Sequence, residues 1–270
     1  MSRVASDRGG VKVRRASSWT EAVFHVLAHV DARGLAASCF DPICVAWARD
    51  RLGPIAGRAL AEDVEVLRRS ATSHDVLARA QALAWVFTSR EESERAVDRP
   101  LASLTASDVA SDEALAIASS AGPLAEVLRA AAELEAEALG AIDVDLSDDD
   151  LRAITAALDE VSRAAPSLAS CEVALARPLG LRGRMLGASI VVGVPHIACP
   201  DPEHLAWQAA HEATVSAIAG RSFVETERRA IGLLRSRARD VGLGDAHARW
   251  LGRLDLRALG PIPDVDDSPE

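Results

Sequence analysis

Apolar residues recur at helical spacing through most of the first 165 positions of the chain. Trp19, Val23, Phe24, Leu27 and Val30 fall on one face of a helix that Ser17 or Ser18 can cap. A turn at Phe40-Asp41-Pro42 precedes an apolar stretch from Val45 to Arg51, and Ile55 to Arg69 and Val76 to Phe87 repeat the amphipathic pattern. Ser107 to Ser119 and Leu124 to Leu139 are alanine-rich, with strong intrinsic helix propensity. Ser147 stands before Asp148, Asp149 and Asp150, which predicts a capped helix running to about Ala164 with its acidic residues at the positive end. That acidic run lacks the alternating spacing and the glycine of a calcium loop, so it reads as a helix start.

The texture changes at Pro166. Between Cys171 and Pro195 two β-prone runs flank a Gly/Arg-rich turn, Gly180 to Gly183, and predict a hairpin or two adjacent strands. Helical patterning resumes from about Pro202 to Ala219, then from Glu225 to Asp240 and from His247 to Leu254. The expected fold class is mainly α (α+β), a helical body with one small sheet near residues 171–195. The expected divisions are a disordered basic arm (1–15), a helical region (16–165), a strand-loop-helix region (166–257) and a disordered acidic tail (258–270).

Composition narrows the partners. Asp and Glu outnumber Lys and Arg by 40 to 30 in 270 residues, which argues against nucleic acid or an anionic membrane as partner. No apolar run approaches the roughly 20 residues that span a bilayer. The four cysteines (Cys39, Cys44, Cys171, Cys199) form no CxxC pair. With no export signal in view, reduced thiols and a cytoplasmic location are expected. Lys12 is the one lysine, alanine is abundant and tyrosine is absent. The first two suit a GC-rich bacterial genome; the third removes any tyrosine acid or oxyanion donor.

The pointed chemistry is the helix Trp207-Gln208-Ala209-Ala210-His211-Glu212, which follows a loop and the strand-like run Ile190-Val191-Val192. Over roughly Cys171 to Asp240 the chain resembles the zincin (HEXXH) metallopeptidases. The resemblance implies a zinc-ligand role for His211 and a general-base role for Glu212. It also implies that the preceding strand, Gly187, Ala188, Ser189, Ile190, Val191, Val192 and Gly193, is an edge that takes an extended peptide, with Trp207 lining the groove. The second histidine of the motif is replaced by Val215, and Arg221 stands where an extended motif has its third. A ligand from the next helix would be Glu225 or Glu227. Even so, two protein ligands stand where catalytic zinc has three, so His211 and Glu212 read as vestigial.

Other ligand types were weighed. His196, Cys199 and His204 are spaced His-x2-Cys-x4-His, which fits no standard knuckle. His25 and His29 have true i, i+4 spacing with Glu21 one turn upstream, and would join His211 in one polar cleft if their helices met. No nucleophile elbow or phosphate loop occurs. The preferred reading is a non-catalytic peptide-binding protein on a degenerate peptidase-like scaffold, with no metal and no cofactor. The chain also resembles the peptide-binding accessory proteins of bacterial peptide natural-product (crocagin-type) biosynthesis, which implies a precursor peptide and its modifying enzymes as partners. The competing readings are a metal-dependent hydrolase with unconventional ligands and a helical protein-interaction module.

Overall fold

A computed structural model describes residues 11–30, 79–80, 83–99, 117–137, 146–179, 183–186, 189–194, 201–218 and 222–254. The expectations on Val45 to Arg69, on part of Val76 to Phe87, on most of Ser107 to Ser119 and on the acidic tail lie outside these residues. In chain order the elements are β1 (Lys12–Arg15), α1 (Ser18–Val30), α2 (Arg90–Asp98), α3 (Ala121–Glu137), α4 (Asp148–Val161), β2 (Glu172–Ala176), β3 (Gly183–Leu186), β4 (Ser189–Gly193), α5 (Pro202–Ala217), α6 (Phe223–Asp240) and α7 (Gly244–Leu251). The described residues are mainly helical with one small four-stranded sheet, as the pattern predicts.

The strand order is β1-β2-β4-β3. β1, β2 and β4 run parallel, and β3 pairs antiparallel with β4, Gly183 opposite Val192 and Leu186 opposite Ser189. Interior parallel strands covered on both faces need apolar side chains on both. β2 (EVALA) and β4 (SIVVG) meet that requirement, and only their first residues are not buried. Strand alternation splits them between two cores. Ala174, Ala176 and Val191 join Trp19, Phe24, Leu27, Leu124 and Leu128 on one face. Val173, Leu175, Ile190 and Val192 join Ile154, Leu158, Leu205, Trp207, Leu234 and Trp250 on the other. The molecule is therefore layered, with α1, α2 and α3 on one side of the sheet and α4 to α7 on the other.

Two expectations are corrected. Lys12–Arg15 is a strand and not part of a disordered arm. Its basic residues are accommodated locally: Arg14 donates to Glu172 at 2.8 Å and lies 3.9 Å over the Trp85 ring. The division at 165/166 does not separate structural units, because α4 packs against α5 and β1 pairs with β2 across it. Of the hairpin and the two adjacent strands expected between Cys171 and Pro195, the second is observed: β2 and β4 pair side by side in parallel, and β4 lies between β2 and β3. The capped helix is as expected: Ser147 and Asp150 form a reciprocal capping box at the start of α4.

Candidate functional site

α5 carries the His-Glu pair. Asp201 caps it, its side chain accepting from the His204 N–H, with Pro202 in the first turn. Ten residues of the helix are buried, among them His204, Trp207, Gln208 and His211. α6 begins at the cap Ser222 and brings Glu227 to His211, Nε2 to Oε2 at 2.8 Å. A carboxylate can only accept, so Nε2–H donates and Nδ1 is left without a partner. Beside the pair, Gln208 donates to Glu212 at 3.0 Å.

The strand side of the site depends on one glycine. A Cβ on Gly183 would lie 3.0 Å from Cγ of Glu212 and 3.1 Å from Cγ of Gln208. A side chain there would oblige Glu212, Gln208 or the strand itself to give by a few tenths of an ångström, so glycine suits this close approach of β3 to the polar stripe of α5. Met185, two residues on, packs into the same layer, and Arg184 lies close enough to Glu212 to favour its carboxylate.

Burial alone would lower the pKa of His211, but the Glu227 hydrogen bond and the Glu212 and Glu227 carboxylates outweigh it and hold it above its usual value. Burial raises that of Glu212, and repulsion from Glu227 adds to it against the opposing pull of His211, Gln208 and Arg184. The neighbouring carboxyl groups thus favour the protonated form of His211, and burial favours the protonated form of Glu212. The pair can store and exchange a proton. Metal ligation is a poorer fit: Nε2 is engaged by Glu227, Val215 stands one turn beyond, and no group of three or more His, Cys, Asp or Glu converges among the described residues.

The structure distinguishes the remaining candidates. Of the two proposed acidic partners, Glu227 meets His211, whereas Glu225 sits in the capping turn of α6. His25 and Glu21 do not join His211 in a cleft; α1 packs on α3, across the sheet from α5, and Glu21 pairs with Arg177 at 3.2 Å. His204 is buried in the first turn of α5. The side chain of His29, together with His196, Cys199, Gly187 and Ala188, lies outside the described residues. Cys171 is a free thiol donating to the Ser167 carbonyl at 3.3 Å.

Two expectations about the groove are overturned. Ser189, Ile190, Val191, Val192 and Gly193 form an interior strand, hydrogen-bonded to β2 on one side and β3 on the other, so they offer no open edge. Among the described residues the edge beside α5 is β3 instead. Trp207 lines no groove; it is fully buried against His247 and Trp250. Sequence reasoning did not single out His247 or Gly183, although a histidine three residues before a tryptophan on an amphipathic helix, and a glycine opening a β-prone run, were visible signals. No family model, no curated protein and no solved structure matches this chain.

Proposed function

We propose that this chain is a non-catalytic peptide-binding protein that accepts an extended peptide as an added strand on β3. The observation that carries the reading is the position of β3: the outermost, antiparallel strand on its side of the described sheet, seated through Gly183 against the Gln208–Glu212 stripe of α5. An edge strand presents unpaired backbone groups that an incoming strand can satisfy, and neighbouring side chains then select the sequence. Beside that edge His211 is held by Glu227, and the position one turn on is Val215, an arrangement suited to retaining a peptide rather than cleaving it. The ligand class is a precursor peptide in natural-product biosynthesis, the role is to present it to modifying enzymes, and the setting is cytoplasmic. This last step follows the resemblance of the His-Glu region.

The test is selection of extended peptides from a displayed library on the purified chain, followed by fluorescence-anisotropy titration. N-methylating the peptide backbone one residue at a time should weaken binding about tenfold at every second position, the loss of one well-made hydrogen bond. Bound peptide should be recovered intact by mass spectrometry with zinc added. Uniform tolerance of N-methylation, cleavage of the peptide, or failure to select any binder would each overturn the reading.

A further inference from the structure

Trp207 on α5 and His247 and Trp250 on α7 form a closed triangle of rings. Centroids lie 5.0 Å apart for Trp207 and His247, 5.5 Å for His247 and Trp250, and 6.5 Å for the two indoles. All three side chains are at most 1% exposed. Each carries one buried ring nitrogen with no hydrogen-bond partner: Nε1 of Trp207, Nε2 of His247 and Nε1 of Trp250. His211, with its ring 5.6 Å from Trp250, adds an unpartnered Nδ1 at the border of the cluster.

A buried N–H left unmade costs about 1–3 kcal/mol, so two indole N–H groups and an imidazole nitrogen, a donor in the Nε2–H tautomer, call for a shared acceptor. Indole nitrogens donate only, which excludes a cation as guest. The charged groups acting on His247 are all cationic, namely Arg235, Arg239 and His211. With burial as the larger cause, they push the imidazole down to about 4, so the ring is neutral at physiological pH in a field of positive sign. Donors in a positive field select an anion. A carboxylate, with two oxygens and about four acceptor positions, can take all three N–H groups at once, whereas one water accepts two. α7, which carries His247 and Trp250, is a helix of 8 residues that follows a turn at Gly242 (φ 78°). Its outer side is tied to the start of α5 by exposed pairs, Arg249 with Glu203 and Arg253 with Asp201. Such pairs hold weakly.

We propose that the Trp207–His247–Trp250 triangle is a binding site for a small carboxylate. The site is separate from the β3 edge and does not depend on peptide binding there. Its source can be a free carboxylate ion or the terminal carboxylate of a larger molecule, and the test separates them.

The full chain is titrated with sodium acetate, with N-acetylglycine as a terminal carboxylate, and with acetamide as the neutral shape control, reading tryptophan fluorescence and Tm. A saturable response to acetate and N-acetylglycine marks a site open to both sources, and a response to acetate alone marks a closed site for the free ion. Acetamide should give none. Trp207→Phe and Trp250→Phe, which keep a ring and remove the N–H, should weaken binding by about tenfold. In the unmodified protein the NMR titration midpoint of His247 should rise from about 4 as acetate is added, because a bound anion favours the imidazolium. That readout needs no variant to fold. The proposal is overturned by an equal response to acetamide, by full response in both phenylalanine variants, or by an unmoved His247 midpoint up to about 100 mM acetate, beyond which binding would add little stability to the fold.

Discussion

The two faces of the sheet bury tryptophans in opposite ways. On the α1 face, Trp19 is 1% exposed and its Nε1–H donates to Ser93 Oγ at 2.8 Å. Ser93 in turn donates to the Phe87 carbonyl, and Thr20 donates to that of Ala84. On the α5 face, Trp207 and Trp250 are as deeply buried, yet their N–H groups meet no acceptor. The first face satisfies these polar groups within the fold; the second leaves donors unmatched beside the buried His211 ring. Unmatched buried donors are costly, and a fold that carries them at one place has a use for them there. On the proposed reading the α1 face is scaffold and the α5 face carries the recognition.

The largest effect should come from breaking the scaffold. Trp19→Ala removes a fully buried side chain and strands Ser93, and is expected to cost about 3–5 kcal/mol by urea unfolding. Next comes the ion pair. Glu227→Ala leaves His211 buried without its acceptor and should cost about 2–3 kcal/mol, whereas Glu227→Gln keeps an acceptor and should cost about 1 kcal/mol. Equal losses in the two variants would mean that the hydrogen bond itself contributes nothing.

The two kinds of tryptophan can then be compared directly. Trp19→Phe gives up a made hydrogen bond and should cost more than Trp250→Phe in acetate-free buffer by about 1 kcal/mol. Equal costs would erase the contrast between the faces.

The smallest effects lie in the pH profile of stability. The pKa of His247 is lowered in the fold, so its contribution is present above 6.5 and is lost as pH falls toward about 4. The pKa of His211 is raised, so its contribution is present below 6.5 and is lost as pH climbs through the folded value. His247→Phe should flatten the acid limb and His211→Phe the alkaline limb, each read as variant minus unmodified protein in melts across pH. An acid limb untouched by His247→Phe would show that this ring is solvated.

Local signals carried the helices apart from α2 (Arg90–Asp98), which the apolar spacing did not predict, and nonlocal pairing hid the sheet. The spacing of Trp19, Val23, Phe24 and Leu27 and the cap at Ser147 are decided within a turn or two, so α1 and α4 were legible to within a few residues. α5 and α6 likewise begin and end close to where the periodicity puts them. β1 was not legible, because Lys12-Val-Arg-Arg becomes a strand only by pairing with Glu172–Leu175, far along the chain. Strand order has the same origin. Ile190-Val191-Val192 announces a strand, but an interior strand and an edge look alike until partners are known. The His-Glu pair was readable on α5, whereas the choice of Glu227 over Glu225 depends on the phase at which α6 crosses it.

The central claim is that β3 is the receiving edge. Amide hydrogen exchange read by NMR, with and without a library-selected peptide, tests it most directly. Alternate amides among Gly183, Arg184, Met185 and Leu186 should slow on binding, while those of β4, already paired on both sides, should change little. Unchanged exchange along β3 at peptide saturation, with protection appearing elsewhere, would contradict the account.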